Sequence, residues 1–508
     1  MVKQERLWAH LLVGAGLTGV MLCACSDEDE PMGVDAGVVL DGASDVDAGS
    51  PGTPEPDGGS GGDGGSADAG VSDGPADLGG PPLQTWVQFE PDGAVCADGS
   101  PYKYFVNFAE GTSDVIVFFE GGGACWDYAS CVEGAVRSAA NLDGIPDGYA
   151  DELTEFGGFS IPVDIFFPLL SRDSSVGPFS DWNQVFLPYC TGDVFSGDRM
   201  VTYVDPAAVQ PSVEIHHRGR ANTLLVVEQL RDLFPATDRL FVAGCSAGGA
   251  GAVSNYAVLR DGLSPRKGFL LNDSGPIFPD QAPSAWSLPL HDRVREAWNL
   301  SPLIQSLPDA SAVELDFGAI SSVLADAFPD DRLAQTFFRL DYDYSLYSYE
   351  RFYERTDSGE VQLFADGMGL GGIGLDMSDP QDRAVVYRLW WDDTDLLREQ
   401  YDGKANLGYF LPFYRTTQNS HCTTIPGFEE FDPLEVVTRF LTDFASIAWA
   451  GTEIELQDGE VVNLRGYVDQ LLDEDVPVPS FFETDGEGPF VPCTPDALDP
   501  DACAEAAD

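Results

Sequence analysis

The sequence predicts an α/β fold with a mostly parallel central sheet and helices on both of its faces. Three observations carry that expectation. The apolar runs at 114–119, 183–189, 239–243 and 267–273 are continuous rather than alternating, as in strands buried on both faces. Helical segments lie between them: 222–234 has apolar residues at helical spacing, and 250–259 is rich in small residues. Strands alternating with helices imply a parallel sheet covered on both sides. The third observation is the junction Gly244-Cys-Ser-Ala-Gly-Gly249 between the strand at 239–243 and the helix at 250–259.

The chain opens with a short segment carrying Lys3 and Arg6, followed by an apolar run from Leu11 to Met21. That run is too short for a permanent membrane helix and reads as an export signal. It ends in Leu22-Cys-Ala-Cys25, which resembles a bacterial lipobox and implies cleavage before Cys25 and lipidation of its thiol. Residues 1–25 are therefore expected to be a signal peptide. Membrane contact is expected only through the lipid anchor, on the envelope or cell surface; without the lipid the chain is secreted. From Ser26 to Pro82 the sequence is dominated by Asp, Gly, Ala, Ser and Pro, with no Lys, Arg or aromatic residue. Such a segment cannot bury a core and reads as a disordered acidic linker. Residues 83–508 are long enough for one large α/β domain with insertions.

The formal net charge of −59 argues against nucleic acid as a partner, because phosphates would be repelled. Eight cysteines lie in the body, at 96, 125, 131, 190, 245, 422, 493 and 503. Export permits disulfides. No pair is spaced as Cys-x-x-Cys and histidines are few, so no zinc site is expected. The stretch Asn141–Asp151 has oxygen-bearing residues around glycines, but its first position is not Asp and its last is not Glu. It reads as an acidic turn rather than a calcium loop.

The first central strand runs into Glu120-Gly-Gly-Gly-Ala-Cys125. Glycines there let backbone amides approach a ligand, as in the loop that supplies half of an oxyanion hole. After the strand at 267–273, residues 278–334 are irregular and often helical, as in a cap over a site. A late strand is expected at 336–343, a Gly-rich loop at 366–374, a helix at 382–400 and a strand at 409–414 leading to His421.

Strand, Gly-x-Ser-x-Gly and helix in that order form the nucleophile elbow of an α/β-hydrolase, and Ser246 is the expected nucleophile. A serine nucleophile needs a base and an orienting carboxylate. His10 lies in the signal, and His216 and His217 precede the serine. The chain order of this fold places the histidine last. His291 leaves no room for a later acid strand, so His421 is the expected base. Asp343 is the first choice of acid, with Asp341 and Asp273 as alternatives. Asp273 also reads as a buried carboxylate that fixes a loop.

Four blocks in order resemble the pectin acetylesterases and their animal relative, the carboxylesterase Notum. They are Cys96-Ala-Asp-Gly-Ser100, Phe119-Glu-Gly-Gly-Gly-Ala-Cys125, Pro188-Tyr-Cys190 with Asp193 and Phe195-Ser-Gly197, and Gly244–Gly249. The resemblance covers about 96–275. It implies a serine carboxylic ester hydrolase on an α/β-hydrolase-like fold, with no cofactor, acting on O-acyl groups of a carbohydrate or another small ester. Ser246, Asp343 and His421 would form the triad, and the amides of Gly122, Gly123 and Ala247 the oxyanion hole. It also implies disulfides Cys96–Cys190 and Cys125–Cys131. Gly123 stands where the animal branch has tryptophan, which leans toward a short acyl group such as acetyl. The alternatives are an inactive binding protein and a serine peptidase on the same fold. The partners of Cys245, Cys422, Cys493 and Cys503, and the oligomeric state, stay open.

Overall fold

Nine strands form one sheet, whose central members are buried on both faces and so hydrogen-bond to neighbours that are equally buried. In the computed structural model, residues 81–483 are described apart from 134–138, 157–158, 357, 365–371, 432 and 457–458. The expected signal peptide and acidic linker, Cys493 and Cys503 lie outside the described residues, and the Gly-rich loop at 366–374 does so for the most part.

The sheet strands are β1 (Trp86–Phe89), β2 (Tyr104–Asn107), β3 (Val115–Phe119), β4 (Asn183–Leu187), β5 (Arg239–Cys245), β6 (Lys267–Asp273), β7 (Arg332–Thr336), β8 (Leu407–Leu411) and β9 (Phe481–Phe482). Their order is β1-β2-β4-β3-β5-β6-β7-β8-β9. From β4 to β9 all pairings are parallel. The β1–β2 and β2–β4 pairs are antiparallel and form one edge. Every residue of β3, β4, β7 and β8 is buried, in keeping with the unbroken apolar run of β3 and the apolar or small residues of β8.

The connecting helices include α1 (Gly219–Leu233) and α2 (Ala247–Leu263) around β5, and α3 (Leu288–Trp298), α4 (Ser301–Gln305), α5 (Ala310–Leu315) and α6 (Ile320–Ala327) in the segment after β6. Then come α7 (Tyr342–Tyr349) and α8 (Pro380–Asp402). No helix among the described residues is long and apolar enough to cross a membrane.

One expected element moves. The late strand is Arg332–Thr336, not 336–343. Residues 342–349 are helical instead. Asp341 causes the switch: its side chain accepts the Tyr344 backbone N–H at 2.9 Å and caps the helix. The earlier strand pairs with β6 through Asp273↔Thr336 and so completes the parallel register.

Candidate active site

Parallel strands direct all of their carboxyl ends to one edge of the sheet, and open α/β sheets carry their chemistry there. Four loops meet at that edge, following β3, β5, β7 and β8.

The loop after β5 holds Ser246. β5 is the middle strand of the nine. Ser246 has φ 57° and ψ −122°, a strained conformation for a residue with a side chain. The strain is held by close packing that only glycine permits. A Cβ on Gly244 would lie 2.3 Å from the Gly248 carbonyl oxygen, and one on Gly248 would lie 2.1 Å from the Phe119 oxygen. The Ser246 amide donates to the Asp273 carbonyl at 2.8 Å, tying the elbow to the end of β6. Ala247 opens α2, so its amide sits at the positive end of a 17-residue helix.

The loop after β8 holds His421. Its Nδ1 lies 2.9 and 3.0 Å from the two carboxylate oxygens of Asp341. Asp341, not Asp343, is therefore the carboxylate that meets this imidazole. The helix explains the difference, because the cap residue turns its carboxylate back while Asp343 lies in the first turn of α7. Asp341 is fully buried. Burial by itself lowers the pKa of His421. The charge and hydrogen bond of Asp341, with Asp343 and Asp273 farther off, overcome that and hold it up at about 9.

A clamp ties the loop of Ser246 to the loop of His421. Cys245, directly before Ser246, forms a disulfide with Cys422, directly after His421. Asp273 accepts four hydrogen bonds from the same loop, from the amides and hydroxyls of Thr423 and Thr424, at 2.6–2.9 Å. The Ser274 hydroxyl accepts from the Cys422 amide at 3.1 Å. Asp273 thus carries out loop fixing rather than pairing with the histidine. Sequence spacing offers no signal for the Cys245–Cys422 pair, whose members are 177 residues apart.

The loop after β3 packs against the elbow. A Cβ on Gly121 would lie 2.9 Å from the Cys245 oxygen and 3.2 Å from the Ser246 Cβ. Gly122 has φ 142° and Gly123 φ 73°, and the Ala140 amide donates to the Gly122 oxygen. Buried Glu120 accepts from the Tyr189 amide and the Tyr149 hydroxyl, both at 2.8 Å. Its burial raises its pKa to about 7 against those two hydrogen bonds. The structure forms both Cys96–Cys190 and Cys125–Cys131, and Cys190 follows Tyr189 on this same side. In the 141–151 turn, Asn141 donates to Tyr149 and to the Tyr189 oxygen, and Asp147 pairs with Lys103 at 2.9 Å.

Ser246 lines a cavity with a water-accessible volume of about 70 Å³. The walls are largely apolar and include Trp126, Ile277, Phe278, Trp298 and Phe317. The segment after β6 supplies much of the wall through α3, as expected of a cap. His291, set aside as a base from sequence, lies in this wall, with its Nδ1 2.9 Å from Asp280.

Residues 83–316 match the pectinacetylesterase family model. The chain is 32% identical over 172 residues to pectin acetylesterase 7 of Arabidopsis thaliana, covering 33% of this chain and 38% of that protein. It is 26% identical over 173 residues to palmitoleoyl-protein carboxylesterase notum1 of Xenopus laevis, covering 33% and 30%. The match therefore spans only 30–38% of the length of these relatives. Among solved structures, the Wnt deacylase Notum from Drosophila aligns with a TM-score of 0.41 and 18% identity, over 63% of this chain and 83% of that one. The matched segment contains Ser246 but ends before Asp341 and His421.

Proposed function

We propose, from the match of residues 83–316 to the pectinacetylesterase family model, that this chain is a serine carboxylic ester hydrolase that removes O-acyl groups from a substrate outside the cytoplasm. The observation that carries the reading is the pairing of His421 with Asp341 on a loop bonded covalently to the residue before Ser246. Asp341 fixes Nδ1–H of the imidazole, which leaves Nε2 as the base for the serine hydroxyl. The Ser246 alkoxide attacks the ester carbonyl, and the amides of Gly122, Gly123 and Ala247 receive the developing oxyanion. His421 returns the proton to the leaving alcohol, then activates water to release the acid. The chemistry draws on protein groups alone. Export rests on the N-terminal signal, and Cys25 is the proposed lipid attachment point.

An acylated carbohydrate is the first substrate class, with acetyl as the expected acyl group. The cavity favours a longer acyl group as a second reading, because one methyl would leave most of its aromatic wall uncovered. Hydrolysis of 4-nitrophenyl esters from acetate to dodecanoate, by wild type beside Ser246→Ala, tests both. Loss of turnover in the variant supports the esterase, and the chain-length optimum assigns the acyl group. Equal turnover by both proteins would remove Ser246 from the chemistry. Lack of turnover with every ester would favour a binding protein on this fold, and cleavage of amides in preference to esters would favour a peptidase.

A further inference from the structure

We propose that the cavity beside Ser246 is built for an acyl group that carries a hydroxyl at its far end. The proposal rests on the esterase reading above and deepens it. Two helices contribute to the wall. On α2 the lining residues are Ala247, Ala250 and Ser254, at helical positions i, i+3 and i+7, and so on one face. On α3 they include His291 and Val294.

Most polar groups in the wall are already used. Ser196 donates to the Val194 oxygen, Ser287 to Asp393 and Ser348 to the Tyr344 oxygen. Ser254 differs. It is 1% exposed, and its hydroxyl has no hydrogen-bond partner among the described residues. A buried hydroxyl left unpaired is costly and rare, and it calls for a ligand or an explanation. His291 is 5% exposed, and Asp280 engages its Nδ1. That bond leaves Nε2 as the ring nitrogen available to a ligand.

The placement fixes the ligand. Ser254 lies seven residues along α2 from Ala247, about 10 Å at 1.5 Å per residue. An acetyl group bound to Ser246 ends far short of that depth. A chain that fills the apolar walls and ends in a hydroxyl would donate to His291 Nε2 or exchange a hydrogen bond with Ser254. Two acyl types share this chemistry: an ω-hydroxyalkanoyl group and a phenolic hydroxycinnamoyl group.

The test compares kcat/KM within two matched pairs of 4-nitrophenyl esters: 10-hydroxydecanoate against decanoate, and 4-hydroxycinnamate against cinnamate. Wild type is expected to favour the hydroxylated member of at least one pair by about tenfold, the scale of one well-made buried hydrogen bond. The pair that shows the preference identifies the acyl type. Ser254→Ala and His291→Phe are expected to bring that ratio toward one; the alanine variant is the milder change should the histidine prove needed for folding. A ratio near one for both pairs in wild type, or a ratio kept in both variants, overturns the proposal. Decanoate turnover that survives Ser246→Ala would instead overturn the esterase reading, and the proposal with it.

Discussion

Two aspartates two positions apart have different fates, and the pair shows how local geometry outweighs spacing. Asp341 caps α7 and reaches His421, whereas Asp343 sits inside the first turn. From sequence both stand after an apolar stretch, and only the cap bond to Tyr344 separates them. Gly-x-Ser-x-Gly and a histidine count single out Ser246 and His421 as candidates directly. The carboxylate that meets His421 was harder to read, because choosing it requires knowing where a strand ends to within two residues. Asp341→Asn is expected to lower kcat by about 10⁴-fold, as loss of the orienting carboxylate does in other triads, and Asp343→Asn by far less. The reverse ranking in steady-state kinetics would return the role to Asp343. In the proposed mechanism Asp341 also sets the pH profile. His421 as base must be neutral, and its pKa is raised to about 9, so kcat/KM should climb as pH rises through that pKa. Removing the carboxylate leaves burial as the leading influence, which lowers the pKa. The midpoint in Asp341→Asn should therefore move to lower pH, and a midpoint that stays in place would show that another group controls the limb.

At the scale of elements, the site is a meeting of four loops, and one covalent bond joins two of them next to the chemistry. The buried strands were readable as unbroken apolar runs. β7 was hidden because Arg332-Leu-Ala-Gln-Thr336 is polar at three of its five positions, and its pairing to β6 and β8 satisfies what its composition does not advertise. The Cys245–Cys422 bond was hidden for a different reason: loop closure over such a distance leaves no local pattern. Its position predicts a role in alignment beyond stability. In a Cys245→Ala/Cys422→Ala variant, kcat should fall at least about tenfold while KM changes little, because misalignment by about 1 Å costs on the order of a hundredfold in rate. Stability should also fall by about 3–5 kcal/mol, the usual effect of opening a long loop. Asp273 and its four hydrogen bonds to Thr423 and Thr424 still hold the loop in that variant, so it should fold. Urea unfolding measured beside kcat/KM separates the two effects. A stability loss with unchanged kcat would reduce the disulfide to a staple.

For the whole molecule, the dominant quantity is charge. The full chain carries a formal net charge of −59 while the cavity wall is largely apolar, so the cleft has little of its own to counter a surplus of negative charge. Neutral esters approach without an electrostatic term. An acylated polymer that is itself polyanionic is repelled over distances set by the Debye length, about 30 Å at 0.01 M salt and about 10 Å at 0.1 M. Raising salt should therefore increase kcat/KM on an acetylated polyuronate severalfold between 10 and 300 mM. The same change should leave 4-nitrophenyl acetate and an acetylated neutral polysaccharide nearly unaffected. The comparison is informative in both directions, because the ratio of the polymers cancels any general effect of salt on the fold. Equal response of the two polymers would mean that the charge lies away from the approach path. Turnover of the polyuronate that falls with salt would mean that a locally basic rim guides it in, and anionic polymers would then become the preferred carriers of the ester.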